Sequence, residues 1–307
     1  MMTAHSQAGV AEAAQKAAPD RVPGTSLSEG MVAAIFLAPA VIAVIILRIW
    51  PTGLALWQSI HVGNAGKLGL ANYTFLFSDP SFHDALAATL LFALIVNPFQ
   101  IACALCLALV MHRALPAGAL WRTLILLPVA VPQSVSAIIM GVAFRPDGPA
   151  NALLAAIGLP AQGFLTTPDQ ALYTIIVIVS WIGVGYWMTF LLAGLKEIPI
   201  ALYEAAEIDG ATAWQQFRYI TLPQLRRPLT FVLVADTVAN FLVFAPVQIL
   251  TKGGPQGSTN LIMNDIYTRG FLSGDVRGAA AETGILVGIV IIVVAIQFRM
   301  MTGEKSG

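Results

Sequence analysis

Six apolar runs, each near the length needed to cross a lipid bilayer, set the terms for everything else in this chain. They lie near 31–55, 85–111, 120–143, 172–194, 229–250 and 279–300. A bilayer core about 30 Å thick takes roughly 20 helical residues to cross. Within it, only helices and closed barrels satisfy their own backbone. The chain is 57% hydrophobic and 10% charged, with a mean hydropathy of +0.79. A soluble domain carries about a quarter charged residues. The expected fold is therefore all-α and integral to a membrane, with six transmembrane helices. Pro39, Pro98, Pro128, Pro132 and Pro246 fall within these runs. Backbone groups that proline frees in lipid need partners on other helices or in water-filled cavities. The spans should then pack around an interior.

Residues 1–27 read as a polar, Ala-rich tail without apolar periodicity, expected to be disordered; the membrane domain is placed at 28–303. The run 31-MVAAIFLAPAVIAVIILRIW-50 is too long for a signal-peptide core and lacks a clear cleavage site, so it is read as a retained span. With both termini inside, ten of the sixteen Lys and Arg, from Lys16 and Arg21 to Arg299 and Lys305, fall on inner segments. Such a bias marks the cytoplasmic side. Net charge is zero, and no basic stripe points to nucleic acid. Cys103 and Cys106 sit three apart in an apolar run with no second Cys or His pair, so they read as small helix residues and no metal site is expected. The segments 71–90 and 149–160 read either as interfacial helices or as simple connectors.

The segment 196–228, between the fourth and fifth runs, is too long for a tight turn. Pro199 suits a first helical turn, and 200-IALYEAAEID-209 contains good helix formers. Gly210 is able to take positive φ and end that helix. A second helix over 212–221 should place Trp214, Phe217 and Thr221 on one side and stop before Pro223. Such a pair either packs on its own bundle or offers a plug to a separate cytoplasmic protein.

The segment also carries Glu204-Ala205-Ala206, then Gly210, then nine residues, then Ile220-Thr221-Leu222-Pro223. This resembles the cytoplasmic motif of the membrane subunits of binding-protein-dependent ABC importers. Asp209-Gly210-Ala211 within it is typical of the carbohydrate branch. The stretches 70-LANY-73, 121-WRTLILLPVAVP-132, 151-NALLAAIGLP-160 and 250-LTKGGP-255 are similar to sugar permeases of the maltose and glycerol-phosphate type. Together the likeness covers roughly residues 30–300. It implies the type I importer permease fold in a bacterial cytoplasmic (inner) membrane. It implies a partner ATPase whose groove receives the first short helix, the coupling helix, through Tyr203, Glu204, Ala205, Ala206, Glu207, Ile208, Asp209 and Gly210, with Leu222 and Pro223 closing the motif. It further implies a second, similar permease (a heterodimer is expected), two ATPase copies and an extracytoplasmic binding protein. The chain has no G-x-x-x-x-G-K-[ST] loop of its own. It is expected to be non-catalytic and to hold no cofactor; ATP and Mg belong to the partner.

Polar groups inside spans are costly and often functional. Asp236 and Asn240 in the fifth run are four apart, hence on one helix face, and Phe244 extends that face. The fourth run offers Trp181, Tyr186 and Trp187, with Gly183 and Gly185 making room. Rings beside amides and a carboxylate suit a sugar, covering its C–H face and bonding its hydroxyls. The expected lining is Trp181, Gly183, Tyr186, Asp236, Asn240 and Phe244. Asn97, Pro98 and Gln100 in the second run and Gln133, Ser134 and Ser136 in the third rank second, since polar residues there more often satisfy kinked backbone or bond across helices. In the resembling permeases the aromatic after the glycine and the two polar positions line a mid-membrane sugar site. The first of those two positions is usually uncharged there, so Asp236 departs from the pattern. It either accepts bonds from sugar hydroxyls, pairs with a cation on the partner permease, or faces a cationic solute. The competing reading of the chain is an ion-coupled secondary transporter, which predicts inverted repeats and further buried carboxylates. A membrane enzyme would need a His/Asp/Glu constellation; His5, His61, His83 and His112 are scattered.

Overall fold

The computed structural model describes residues 28–62, 67–113 and 116–302. The expected tail 1–27 and the residues after 302 lie outside the described residues. The described residues up to Gly53 and those from Leu54 onward form two compact units. In the first, α1 (Glu29–Val44) is N-capped by Ser28, whose hydroxyl accepts from the Met31 N–H at 3.3 Å, and it leads into a π turn at Ile45–Ile49. The turn is followed by α2 (Trp50–Ser59).

The second unit continues with a two-residue antiparallel ladder, β1 (His61–Val62) and β2 (Lys67–Leu68), and with α3 (Ala71–Leu76). The second span is α4 (Pro80–His112). Residues 80–90, read above as part of an interfacial piece, are instead its first turns. Asp79 accepts from the Ser81 N–H at 3.0 Å and Pro80 takes the first helical position, a pairing that starts helices firmly.

The third apolar run does not form one straight helix over 120–143. It divides into α5 (Gly118–Ala130) and α6 (Gln133–Ala143), bent by 101°. Val131 is extended (φ −90°, ψ 134°), as the residue before a proline prefers, and Pro132 supplies no N–H to continue the ladder. Among the described residues five helices are long and apolar enough to cross a membrane, or six if this bent pair counts as one span. The piece 149–160 contains α7 (Pro149–Ala156). It is stitched as a connector: buried Asn151 donates to the carbonyls of Pro146 (3.0 Å) and Gln162 (2.9 Å) and accepts from the Gln162 N–H (2.8 Å).

The fourth span is α8 (Pro168–Lys196). A short helix pair follows, α9 (Ile200–Ile208) and α10 (Ala213–Gln216), then a π turn (Phe217–Thr221) and α11 (Leu222–Gln224). The fifth span breaks into α12 (Arg226–Phe241) and α13 (Ala245–Leu250). The break falls at 242–244, where the ring of Pro246 would meet the carbonyl four residues earlier in a continuous helix. The chain then passes through α14 (Ile262–Tyr267) and a π turn (Thr268–Leu272) into α15 (Val276–Thr302).

α4 and α8 run parallel at the centre of this unit. Near α9, Ala104, Ala108 and Met111 pack on Trp187, Met188 and Leu191. At the opposite end, Phe92 and Val96 pack on Leu172, Ile175 and Val179. Glycine sets two close approaches. At Gly185 a Cβ would run into the Ile125 carbonyl of α5, and at Gly194 it would come within 2.5 Å of the Pro228 ring. α12 is tied to α15 by Gln297, whose amide donates to the Thr237 hydroxyl at 2.8 Å.

Candidate functional site

Halfway along the spans, α4, α8 and α12 each turn polar side chains toward one point. Asn240 donates to the Asn97 side-chain oxygen at 2.7 Å. Gln100 lies between Asp236 and the α8 backbone; with its amide assigned so that both ends are satisfied, the nitrogen donates to Asp236 Oδ1 at 2.6 Å and the oxygen accepts from the Ser180 N–H at 3.3 Å. Asp236 and Asn240 are 1% and 3% exposed, so each is supported by neighbours and not by bulk water. Asp236 Oδ2 has no partner. Buried polar atoms are nearly always bonded, so an open carboxylate oxygen marks a place where a donor is wanted. The cluster borders a cavity of about 310 Å³, which is also lined by Gly183, Tyr186, Trp187 and Gln133. Tyr186 and Trp187 meet edge to face with centroids 4.8 Å apart, so the wall beside the amides is a rigid aromatic corner.

Four of the six residues expected to line a solute site, Gly183, Tyr186, Asp236 and Asn240, border this one cavity. Trp181 does not. It lies against Phe99, Leu124 and Val184 in a separate apolar groove. Phe244 does not either. The break before α13 gives it φ −133° and ψ −57°, and it packs on Tyr267 at 5.0 Å. In their place the structure brings in Trp187, Gln100 and Gln133. Gln133 reaches the cavity because the bend after Val131 starts a new helix there.

The helix pair is built as a bent plug. Gly210 takes φ 76°, and the Ala211 N–H reaches back to the Ala206 carbonyl at 2.8 Å, the six-to-one bond that closes a helix with glycine just past its end. Thr212 and Gln215 then form a capping box for α10. The second helix does not stop before Pro223 as expected. The π turn spreads the ladder where Pro223 supplies no N–H, and the helical path continues to Gln224. Nor do Trp214 and Thr221 share a face: Trp214 is exposed and Thr221 buried. Tyr203, expected among the groups offered outward, turns inward. Its hydroxyl pairs with the Thr221 hydroxyl at 2.9 Å, and its ring packs on the α4–α8 core. Glu204, Ala205, Glu207, Ile208, Asp209, Gly210 and Pro223 are exposed, while Ala206 and Leu222 are half-buried. Ile208 is 87% exposed and Tyr219 74%.

The family model described as "Binding-protein-dependent transport system inner membrane component" matches residues 100–302. The chain belongs to this family. The permease is 32% identical over 274 residues to the sn-glycerol-3-phosphate transport system permease protein UgpA of Pectobacterium atrosepticum, covering 87% of this chain and 92% of that one. It is 32% identical over 280 residues to the lactose transport system permease protein LacF of Rhizobium radiobacter, covering 88% and 94%. Its fold is similar to a chain in the crystal structure of a bacterial alginate ABC transporter in complex with an alginate pentasaccharide-bound periplasmic protein. That match has a TM-score of 0.78 at 24% identity and covers 90% of this chain and 95% of that one. The permease is therefore a multi-pass inner-membrane subunit of a bacterial binding-protein-dependent ABC importer. As a component of a binding-protein-dependent transport system, it works with a binding protein and other transporter subunits. Nucleotide binding lies in a separate ATPase subunit, and the permease itself is not an ATPase.

A second polar constellation of the permease escaped the sequence reading. At the end of the bundle away from α9, Arg269 meets Asp79 at 2.6 Å, Glu282 at 3.3 Å, Asp265 at 3.4 Å and Asp275 at 3.8 Å. Its hydrogen bond holds the Asp79 carboxyl below the usual carboxylate range. Glu282 is fully buried. Asn260 extends the network, donating to Asp265 at 2.9 Å and accepting from Asn264 at 2.8 Å. One guanidinium thereby joins the start of α4, α14 and the start of α15. Among the described residues no group of three or more His, Cys, Asp or Glu is arranged to hold a metal ion.

Proposed function

We propose that the permease passes a neutral, sugar-class solute through the Gln100–Asp236–Asn240 cavity by alternating access. The observation that carries this reading is the unpartnered Asp236 oxygen beside the amides of Gln100 and Asn240 and the rings of Tyr186 and Trp187. Polyols present hydroxyl donors and acceptors together with C–H faces, and this wall answers both. Among the described residues no Lys or Arg lines the cavity, which favours an uncharged solute over a phosphorylated one. The lactose permease and the alginate transporter among the relatives support the carbohydrate class. The same reading places both termini and 196–228 in the cytoplasm. There α9 enters a groove on one of two ATPase copies, and a second, different permease chain completes the pore.

The uncovered side chains of α9 support the coupling role. Exposed ion pairs contribute only about 0–1 kcal/mol, so Ile208 and Ala205 should carry the docking, with Glu204 and Glu207 guiding it. A ligand screen on the cognate binding protein, followed by uptake into vesicles holding the assembled transporter, tests the solute class. Asp236→Ser should keep the protein at normal abundance while changing which solutes are taken up. A loss of abundance with unchanged selectivity makes the acid structural. Gly210→Pro and Glu204→Lys should uncouple ATP hydrolysis from uptake with the spans still inserted. Normal uptake by both variants would sink the coupling role.

A further inference from the structure

Along α9 the side chains are exposed except at Tyr203 and Ala206, which are half-buried. Among the described residues of α9, Tyr203 alone packs on the α4–α8 core. Its hydroxyl lies 2.9 Å from that of Thr221. Thr221 is 4% exposed and closes the π turn Phe217–Thr221, a geometry that is rare and tends to fall at functional sites. The Thr221 hydroxyl also donates to the Gln216 carbonyl at 3.4 Å. A hydroxyl has one proton to give, so the Tyr203 hydroxyl is the donor to Thr221. Otherwise α9 is joined to the chain at its two ends, through Pro199 and through the Gly210 bend.

Thr221 leads directly toward the solute cavity. α11 and then α12 follow it without a loop. Leu225, between them, is fully buried, and Pro228 in the first turn of α12 sits against Gly194 of α8. Asp236 lies about 15 Å along α12 from Arg226, at 1.5 Å per residue. We infer that Tyr203 is a positioning residue for transport, its hydrogen bond to Thr221 being the joint through which a displacement of α9 reaches α12 and the Asp236–Asn240 wall. With the bond made, α9 and the π turn move as one body. Without it, a push on α9 is taken up at Pro199 and Gly210 and the cavity wall stays where it was. The ring and the hydroxyl of Tyr203 therefore have separate tasks: the ring holds α9 on the core, and the hydroxyl fixes which neighbour it moves with. This action rests on the docking of α9 on an ATPase proposed above.

The test measures ATP hydrolysis and uptake together in vesicles holding the assembled transporter. The probe is the radiolabelled solute that the cognate binding protein binds most tightly in the screen above. Tyr203→Phe keeps the ring and leaves Thr221 its Gln216 carbonyl. It should keep ATP hydrolysis within about two-fold and lower uptake per ATP about two- to ten-fold, the worth of one hydrogen bond. Thr221→Val should do the same, and Thr221→Ser, which keeps the hydroxyl, should behave like the natural chain. The double variant Tyr203→Phe with Thr221→Val should be no worse than either single, as expected of two groups that share one bond. If Thr221→Val does not assemble, the comparison of Tyr203→Phe with Thr221→Ser decides. A lower unfolding temperature with unchanged uptake per ATP would make the pair a structural contact only and overturn the inference. Additive losses in the double variant, or hydrolysis falling in step with uptake, would overturn it equally. The docking is checked separately by whether Ile208→Cys, in the otherwise natural chain, cross-links to the ATPase subunit. A cross-link together with unchanged uptake per ATP in Tyr203→Phe removes the Tyr203 joint alone. No cross-link removes the docking and the joint with it.

Discussion

The Arg269 cluster and the Gln100–Asp236–Asn240 cluster are both buried, polar and shared among spans, yet one is built on ion pairs and the other on amides that border a cavity. Around Arg269 the charges answer one another: Asp79, Asp265 and Glu282 converge on a guanidinium whose side chain is 12% exposed. Around Gln100 the groups are mostly neutral amides, and one carboxylate oxygen is left without a donor. Ion pairs that converge on one guanidinium hold three helices in register, although both Glu282 oxygens and Arg269 Nε make no hydrogen bond. The mostly neutral amide cluster instead borders a cavity, where a solute can reach it. The contrast separates a strut from a site without reference to position along the chain.

The contrast is most easily broken at its stronger end. Arg269→Met should strand Asp79, Asp265 and Glu282 beside one another. Leaving buried charges uncompensated costs about 3–5 kcal/mol, so thermal unfolding of the detergent-solubilised permease should fall by many degrees, with abundance falling too. An unchanged unfolding temperature would mean that the cluster is not a strut. At the cavity the opposite pattern is expected. Gln133 lines the open space and is exposed, so Gln133→Ala should leave unfolding nearly unchanged. It should raise the KM for uptake by about two- to ten-fold, the worth of one hydrogen bond. A stability loss without a KM change would dissolve the distinction.

The finest test uses pH. The hydrogen bond from Arg269 depresses the Asp79 pKa, so its stabilising contribution is present above the ordinary carboxylate value of about 4. It is lost as pH falls through the depressed value. The acid limb of stability against pH should therefore flatten in Asp79→Asn relative to the natural chain. Equal slopes would place Asp79 outside the strut.

Each apolar run falls on a helix or on a broken helix pair, and both breaks lie at prolines, while Pro39, Pro98 and Pro128 sit inside continuous helices. Val131–Pro132 bends the third run, and Pro246 interrupts the fifth. Gly210 was legible because few other residues take positive φ so readily. The pair Asp236 and Asn240 was legible because residues four apart share a face. The errors have physical reasons. Trp181 and Gly183 are two apart, about 200° around a helix, so they were never able to share one wall. Phe244 would have extended the Asp236 face on an unbroken helix, but the proline that was noticed also turned it away. Nothing in the sequence singled out Arg269, because its partners Asp79 and Glu282 lie on other helices, one of them 190 positions distant. Nothing in local pattern joins residues so far apart; only the packing of α4 against α14 and α15 does.

The two glycines of the fourth span differ in what a change there would meet. At position 185 an added carbon strikes the backbone carbonyl of Ile125; at position 183 it meets, at 3.2 Å, the movable end of the Gln100 side chain. Only one of these neighbours is free to rotate away. Variation across related transporters, or in a laboratory selection for a new solute, thus has an open door at 183 and a closed one at 185. A methyl at 183 would shrink the cavity and re-aim one amide in a single step, so the size of the accepted solute should drift through that position while the seam between α5 and α8 stays put.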